Sequence, residues 1–239
     1  MFISVFDLFK LGIGPSSSHT LGPMLAGKQF ILQVDQYFDS LASANRDARY
    51  ALRCTLAGSL AYTGKGHGTD TALVLGFNGY DAKKAALLSL EGGLELLIEN
   101  LSKNKQLVSP KGRSLSFCST EDIVFDVSAK DFPHPNAMLF ELLCYSASGW
   151  VPELSQTQFS IGGGFIATET ELLAQKIDFP KTRIPFDFSD AKEMIGLANK
   201  HCLSLAQMKY ENERCYRSAS DIESFLESIA HTMLSCVER

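Results

Sequence analysis

After Asp187 the chain contains no proline and no run that reads as a strand. That asymmetry confines any sheet to the preceding part and leaves the remainder to helices. Before it, strands and helices interleave without a repeating βαβ order. From Pro23 to about Leu41 the apolar residues Met24, Phe30, Ile31, Val34, Phe38 and Leu41 keep mostly to helical spacing, with serines upstream as caps. Tyr50 to Leu56 alternates like a strand, and Asp81 to Leu101 has the Ala, Leu and Glu content of a helix despite Gly92-Gly93. Ser114 to Val127, Ala137 to Tyr145, Trp150 to Phe159 and Ser160 to Thr168 read as strands, the last two parted by a triple glycine. The expected fold class is α+β: a mixed or antiparallel sheet with helices packed on it, followed by an all-helical C-terminal segment. The corresponding domains are 1–186 and 187–239.

In the tail, Ser189 is expected to cap a helix to about His201, Ser204 another to about Tyr216, and a third helix starts near Ser218. Ile222, Phe225, Leu226, Ile229, Met233, Leu234 and Val237 give that third helix a full apolar stripe, which runs on to Arg239 without a glycine or proline stop. A face so wide requires a partner, so the expectation is a chain cut short or one seated against another polypeptide. His201 and His231 read as structural.

Composition excludes several classes of function. With 22 Lys+Arg against 27 Asp+Glu, a net charge of -5 and no basic run, the footprint of a nucleic-acid binder is missing. No uncharged apolar stretch approaches the roughly 18 residues of a membrane span. The greasy opening lacks a basic start and is interrupted by Asp7, so it does not read as a signal peptide and the chain is read as cytoplasmic. Six cysteines (Cys54, Cys118, Cys144, Cys202, Cys215 and Cys236) form no C-x-x-C pair and are expected to be ordinary buried thiols.

Four motifs could carry chemistry. Gly14-Pro15-Ser16-Ser17-Ser18-His19-Thr20 sets hydroxyls and an imidazole at a helix start, which suits a carboxylate or phosphate and equally suits a plain cap. A Ser-His nucleophile pair is disfavoured, because neighbours in one turn rarely bring Oγ onto the ring and no orienting acid is evident. Thr63-Gly64-Lys65-Gly66-His67-Gly68-Thr69-Asp70 is expected to be a loop that could hold a proton carrier or an anion contact, or be a hydrophilic surface loop; its spacing is not that of a P-loop. His134-Pro135-Asn136 puts an imidazole and an amide at a strand mouth, stiffened by Pro133 and Pro135. Ser160-Ile161-Gly162-Gly163-Gly164-Phe165 could aim several N–H groups at an oxyanion or simply turn between strands, and lacks the dinucleotide spacing.

Together these motifs, with Ser4-Val5-Phe6-Asp7-Leu8-Phe9 and Gly22-Pro23-Met24 around the first, resemble the bacterial iron-sulfur L-serine dehydratases of the single-chain type. Leu203-Ser204-Leu205 and Glu211-Asn212-Glu213 resemble the start of that family's catalytic helical domain, so the likeness covers essentially the whole chain. The resemblance implies conversion of L-serine to pyruvate and ammonia with a [4Fe-4S] cluster in place of pyridoxal phosphate. It implies His19, His67 and Lys65 as catalytic residues. As substrate contacts it implies Ser16, Ser17, Ser18, Thr20, Thr69, Asn136, Ser160, Gly162, Gly163 and Gly164. It assigns no metal ligand to this chain: the cluster cysteines belong to a catalytic α domain or chain, so the chain alone is expected to hold no cluster and to be inactive. A homodimer is implied as well, with no nucleic acid or membrane partner. The alternatives are a non-catalytic amino-acid-sensing regulatory module and an inactive remnant.

Overall fold

The computed structural model describes residues 2–41, 48–129, 131–174 and 184–238. In chain order the elements are α1 (Val5–Leu8), α2 (Gly22–Ser40), β1 (Tyr50–Gly58), α3 (Ser59–Thr63), α4 (Thr69–Phe77), α5 (Ala82–Leu90), α6 (Leu94–Lys103), β2 (Gln106–Val108), β3 (Ser114–Ser116), α7 (Ser119–Asp122) and β4 (Ile123–Asp126). They continue as β5 (Asn136–Ser146), β6 (Gly149–Gly162), β7 (Phe165–Thr168), α8 (Glu169–Ala174), α9 (Ala191–His201), α10 (Leu205–Glu213) and α11 (Ala219–Glu238). The chain divides into two compact units, Gly12–Lys176 and a second made of Met1–Leu11 with Ile177–Arg239. The boundary expected at 186/187 falls within the second unit, which also takes in the first eleven residues.

The larger unit is a mixed sheet in the order β2-β3-β1-β5-β6-β7, with β4 also paired to β1. Strands β3 and β4 run parallel to β1, and the β1-β5, β5-β6 and β6-β7 pairs are antiparallel. Period-two alternation sends Leu52, Cys54 and Leu56 of β1, and Met138, Phe140 and Leu142 of β5, onto one face, where each is fully buried. Phe30, Ile31 and Val34 of α2 and Leu73, Val74 and Phe77 of α4 close the core over that face. The opposite side of α4 packs Ala72 and Leu75 against Met24, Ala85 and Leu94. The two helices approach closely: a Cβ on Gly76 would lie 2.3 Å from the Met24 carbonyl oxygen.

Three elements differ from expectation. The strand expected from Ser114 to Val127 is two short strands around α7. Between Ser116, opposite Ala51, and Ile123, opposite Cys54, this chain advances seven residues while β1 advances three, and the surplus winds into one helical turn. The helix expected from Asp81 to Leu101 is α5 and α6, broken where Gly92 adopts φ 73°. The region expected to be a loop around Thr63–Asp70 is mostly helical, passing from α3 through a 3-10 turn at Lys65–His67 into α4.

The smaller unit is built on Glu213, which is 1% exposed. Its carboxylate accepts from Ser4 Oγ at 2.8 Å and from the Val5 N–H at 2.6 Å, while Lys209 and Arg217 flank it at 3.6 and 3.7 Å. Asn212 beside it grips the Phe186 backbone, accepting from its N–H at 3.0 Å and donating to its carbonyl at 2.8 Å. Phe6 stacks on Phe225 with ring centroids 4.0 Å apart. Helix α9 is capped by Asp190 instead of Ser189, because Asp190 accepts from the Glu193 N–H and Ser189 bonds the Glu193 carboxylate. Ser204 forms a full capping box with Gln207 at α10. On α11 only Ile222 and Ile229 are buried; Arg239, to which the helical pattern is expected to continue, lies outside the described residues. The cysteines correct another expectation: Cys54 is buried, Cys118 and Cys144 are intermediate, and Cys202, Cys215 and Cys236 are exposed.

Candidate active site

The polar motifs of the larger unit converge at one end of the sheet, where β1 finishes, β5 begins, and β6 turns into β7. Register fixes this placement: Gly58 lies opposite Asn136, and the pairing of Ala137 with Phe159 sets Asn136 beside Ser160. Immediately upstream of α2 the chain makes a π-helical turn over Ser17–Leu21, with Ser16 extended and its Oγ accepting from the His19 N–H. Gly22 continues that turn into α2 against Ser160, where an added Cβ would sit 2.1 Å from Ser160 Oγ. Only a residue without a side chain lets the helix start settle on the strand there.

The two histidine-bearing motifs are cross-braced. Thr20 Oγ1 donates to the His67 carbonyl at 2.9 Å, and Thr69 Oγ1 donates to the His19 carbonyl at 2.5 Å. Both threonines are essentially unexposed, at 1% and 0%. Their hydroxyl protons therefore hold the site together and are not offered to a ligand. The bracing brings the His19 and His67 rings to a centroid separation of 4.8 Å with planes 41° apart.

Each ring has its own anchors. His19 Nδ1 is 2.9 Å from Ser18 Oγ and its Nε2 is 3.0 Å from Ser59 Oγ. Burial, reinforced by the neighbouring His67, pulls the His19 pKa below the usual imidazole value. His67 Nδ1 lies 2.8 Å from the Thr63 carbonyl, which can only accept, so Nδ1 carries a proton and Nε2 holds the lone pair of the neutral ring. Of the remaining residues, Ser16 and Ser18 are partly buried with their hydroxyls 3.4 Å apart, and Ser17 is exposed. Lys65 departs from the pair: its ammonium sits 5.3 Å from the centre of the Phe125 ring and lines a separate cavity of about 170 Å³ with Asp70, Thr71, Ser119 and Thr120.

The floor of the site is polar and under-satisfied. Asn136 Nδ2 donates to the Ser160 carbonyl at 3.0 Å, while Asn136 Oδ1, Ser160 Oγ and the nearby Gln158 Oε1 are buried without partners. Unpaired buried acceptors and hydroxyls cost free energy unless something bonds them, so these three on neighbouring strands are a store of unused hydrogen-bonding capacity just beneath the site. His134 Nδ1 accepts from the Asn136 N–H at 3.2 Å, and burial lowers its pKa. Gly162, Gly163 and Gly164 form the β6-β7 corner with φ of 94°, 61° and 75°, a run that side chains other than glycine rarely adopt.

The structure adds Ser59, which the sequence did not single out, and gives separate roles to Thr63 and Gly22, which the sequence quotes only within longer motifs. Ser59 follows a strand-ending glycine as the first residue of a short helix, where a serine is commonplace, so only the long-range contact to His19 reveals it. All of these groups could hold a zwitterion and move protons; the ligand set of a metal is another matter. Among the described residues no three His, Cys, Asp or Glu side chains converge.

The chain is similar in sequence to known proteins. The family described as serine dehydratase beta chain matches residues 4–171. The L-serine dehydratase of Streptomyces coelicolor is 36% identical over 243 residues, covering 100% of this chain and 50% of the relative. L-serine dehydratase 1 of Escherichia coli K12 is 32% identical, covering 99% of this chain and 49% of the relative. The L-serine dehydratase of Helicobacter pylori 26695 is 32% identical over 98% of this chain and 48% of its own length. The chain thus spans about half the length of the curated relatives it matches. The matched family region spans every motif gathered around His19 and His67, and the chain belongs to the serine dehydratase beta chain family.

Proposed function

We propose that this chain forms the substrate-facing part of an L-serine dehydratase, a lyase that converts L-serine to pyruvate and ammonia. The observation that carries the reading is the cross-braced His19–His67 pair, 4.8 Å apart between centroids, set among serine hydroxyls above an under-satisfied polar floor. Ser16, Ser17 and Ser18 at the π-helical turn meet the substrate carboxylate, with Asn136, Ser160 and the Gly162–Gly164 corner shaping the opposite wall. His67 Nε2 holds the lone pair that accepts a proton from the substrate α-carbon, and His19 moves a proton at the departing hydroxyl. Loss of water leaves aminoacrylate, which tautomerises and hydrolyses to pyruvate and ammonia without further help. Thr20 and Thr69 keep the two rings in place. Lys65, held over Phe125, contributes charge from the 3-10 turn.

The resemblance implies a [4Fe-4S] cluster in place of pyridoxal phosphate. Such a cluster needs about four converging thiolates or equivalents, and the described residues offer no such set. In this reading the cluster is held outside this chain, in a catalytic α domain or chain, and no step above is routed through it. The same reading makes the complete enzyme a cytoplasmic homodimer; the exposed apolar end of α11 supports association, and no helix among the described residues is long and apolar enough to cross a membrane.

The test is turnover. Anaerobic reconstitution of the chain alone, scoring iron and pyruvate from L-serine in one sample, is expected to give neither, and a cluster with pyruvate would overturn its placement elsewhere. In the complete enzyme His19→Ala and His67→Ala are each expected to lower kcat by about 10²- to 10⁴-fold. Lys65→Ala should cost far less, as an exposed charge is well screened. Near-normal turnover in either histidine variant would remove that ring from the reaction.

A further inference from the structure

Ser59 joins three of the polar motifs through three different atoms. Its N–H donates to the Pro135 carbonyl at 2.7 Å, its carbonyl accepts from Thr63 Oγ1 at 2.8 Å, and its Oγ lies 3.0 Å from His19 Nε2. Both backbone groups are thereby tied, and Gly58 just before it sits at φ 59°, where an added Cβ would fall 2.2 Å from the Pro135 oxygen. The hydroxyl is therefore delivered to His19 by a fixed backbone.

We propose that Ser59 is a positioning residue that selects the tautomer of His19, accepting a hydrogen bond from Nε2–H so that Nδ1 is the nitrogen left to accept from Ser18. The hydroxyl run supports this polarity. Ser16 Oγ already accepts from the His19 N–H, and it stands 3.4 Å from Ser18 Oγ, so in the ligand-free protein Ser16 can donate to Ser18 and Ser18 to Nδ1. Burial favours the neutral ring, which has a single N–H to place, and the partner of one nitrogen then fixes the state of the other. His67 has the opposite arrangement, with Nδ1–H bound to the Thr63 carbonyl and Nε2 open. The catalytic consequence rests on the dehydratase reading: one ring offers an N–H on the nitrogen where the other offers a lone pair. The assignment of the tautomer does not.

The experiment reads the imidazole nitrogens directly. Long-range proton–nitrogen correlation spectra of the labelled full chain, at a pH well above the usual imidazole range, report which nitrogen carries the proton. The His19 signals are identified by their loss in His19→Gln. Wild type is expected to show a single Nε2–H form for His19, Ser59→Ala to shift it toward a mixture of tautomers, and Ser59→Thr to restore the single form. Ser59→Ala keeps both backbone bonds, so amide signals away from the site should superpose on those of wild type. If Ser59→Ala does not fold, Ser59→Cys keeps the volume with a weaker acceptor and should give a partial shift. An unchanged His19 pattern in the folded variant, or an Nδ1–H form in wild type, overturns the proposal. The dehydratase reading fails by a different measurement, absence of pyruvate, which leaves these nitrogen shifts as they are.

Discussion

An imidazole between two serine hydroxyls, with a second imidazole at 4.8 Å, is easier to keep neutral than to charge. The direction of the His19 shift makes this a stability statement. A histidine whose pKa is lower folded than unfolded binds more protons in the unfolded chain, so stability is full above the ordinary imidazole pKa and is lost as pH falls through the folded one. Urea unfolding midpoints should therefore decline on acidification from about pH 7 toward pH 5, and His19→Gln should flatten that slope; an equally steep slope in the variant would place the sensitivity elsewhere. Ser160 offers a second residue-scale test, because its buried hydroxyl has no partner among the described residues. Removing an unsatisfied hydroxyl costs little, so Ser160→Ala should leave stability within about 0.5 kcal/mol of wild type or raise it. If the hydroxyl meets substrate in the proposed dehydratase, KM for L-serine rises in the same variant while the unfolding midpoint stays put.

At the scale of elements, the site is a clasp between the turn preceding α2 and the segment joining α3 to α4, closed by two threonine hydroxyls on two histidine carbonyls. Thr20→Val or Thr69→Val strands a carbonyl in a buried place and should each cost about 1–3 kcal/mol. The double variant should cost less than the sum, since the first break already frees the loops that the second bond holds; a double-mutant cycle by urea unfolding measures that coupling. Additive costs would mean two independent bonds and no clasp. The composition of this clasp was legible in the sequence, because Ser, His and Thr crowd two short glycine-bearing motifs, but its geometry was not. Ser59 is unremarkable in sequence and reaches His19 only through the fold. Helix α4 escaped for a different reason: with Ala72, Leu73, Val74, Leu75 and Phe77 all buried, packed by the sheet on one side and α5 and α6 on the other, it has no polar face and so no helical period to read. Helix α2, which buries one broad stripe, was readable almost to the residue. The split of β3 from β4 was hidden because apolar content alone does not record that β1 advances more slowly than the chain beside it.

For the molecule as a whole, the apolar stripe of α11 changes character along its length. Ile222 and Ile229 are buried, whereas Leu226, Met233, Leu234 and Val237 are 41%, 51%, 63% and 85% exposed. Exposed singly, such residues need no explanation; aligned on one face over the last turns of a helix they form a contiguous apolar surface, which favours association over solvation. The covered part of the same helix is anchored by the stacking of Phe6 on Phe225 and the burial of Ile222 and Ile229, so the uncovered part extends from a packed support. Relatives about twice as long supply further polypeptide that could cover such a face, and a second copy of this chain supplies another. Sedimentation of the chain should therefore reveal concentration-dependent self-association. Met233→Lys with Leu234→Lys should abolish it at a cost within about 0.5 kcal/mol to the unfolding free energy, because both side chains lie outside the core. If the double variant still associates, the contact lies on another surface; if it unfolds, these turns are held by packing that their exposure does not show.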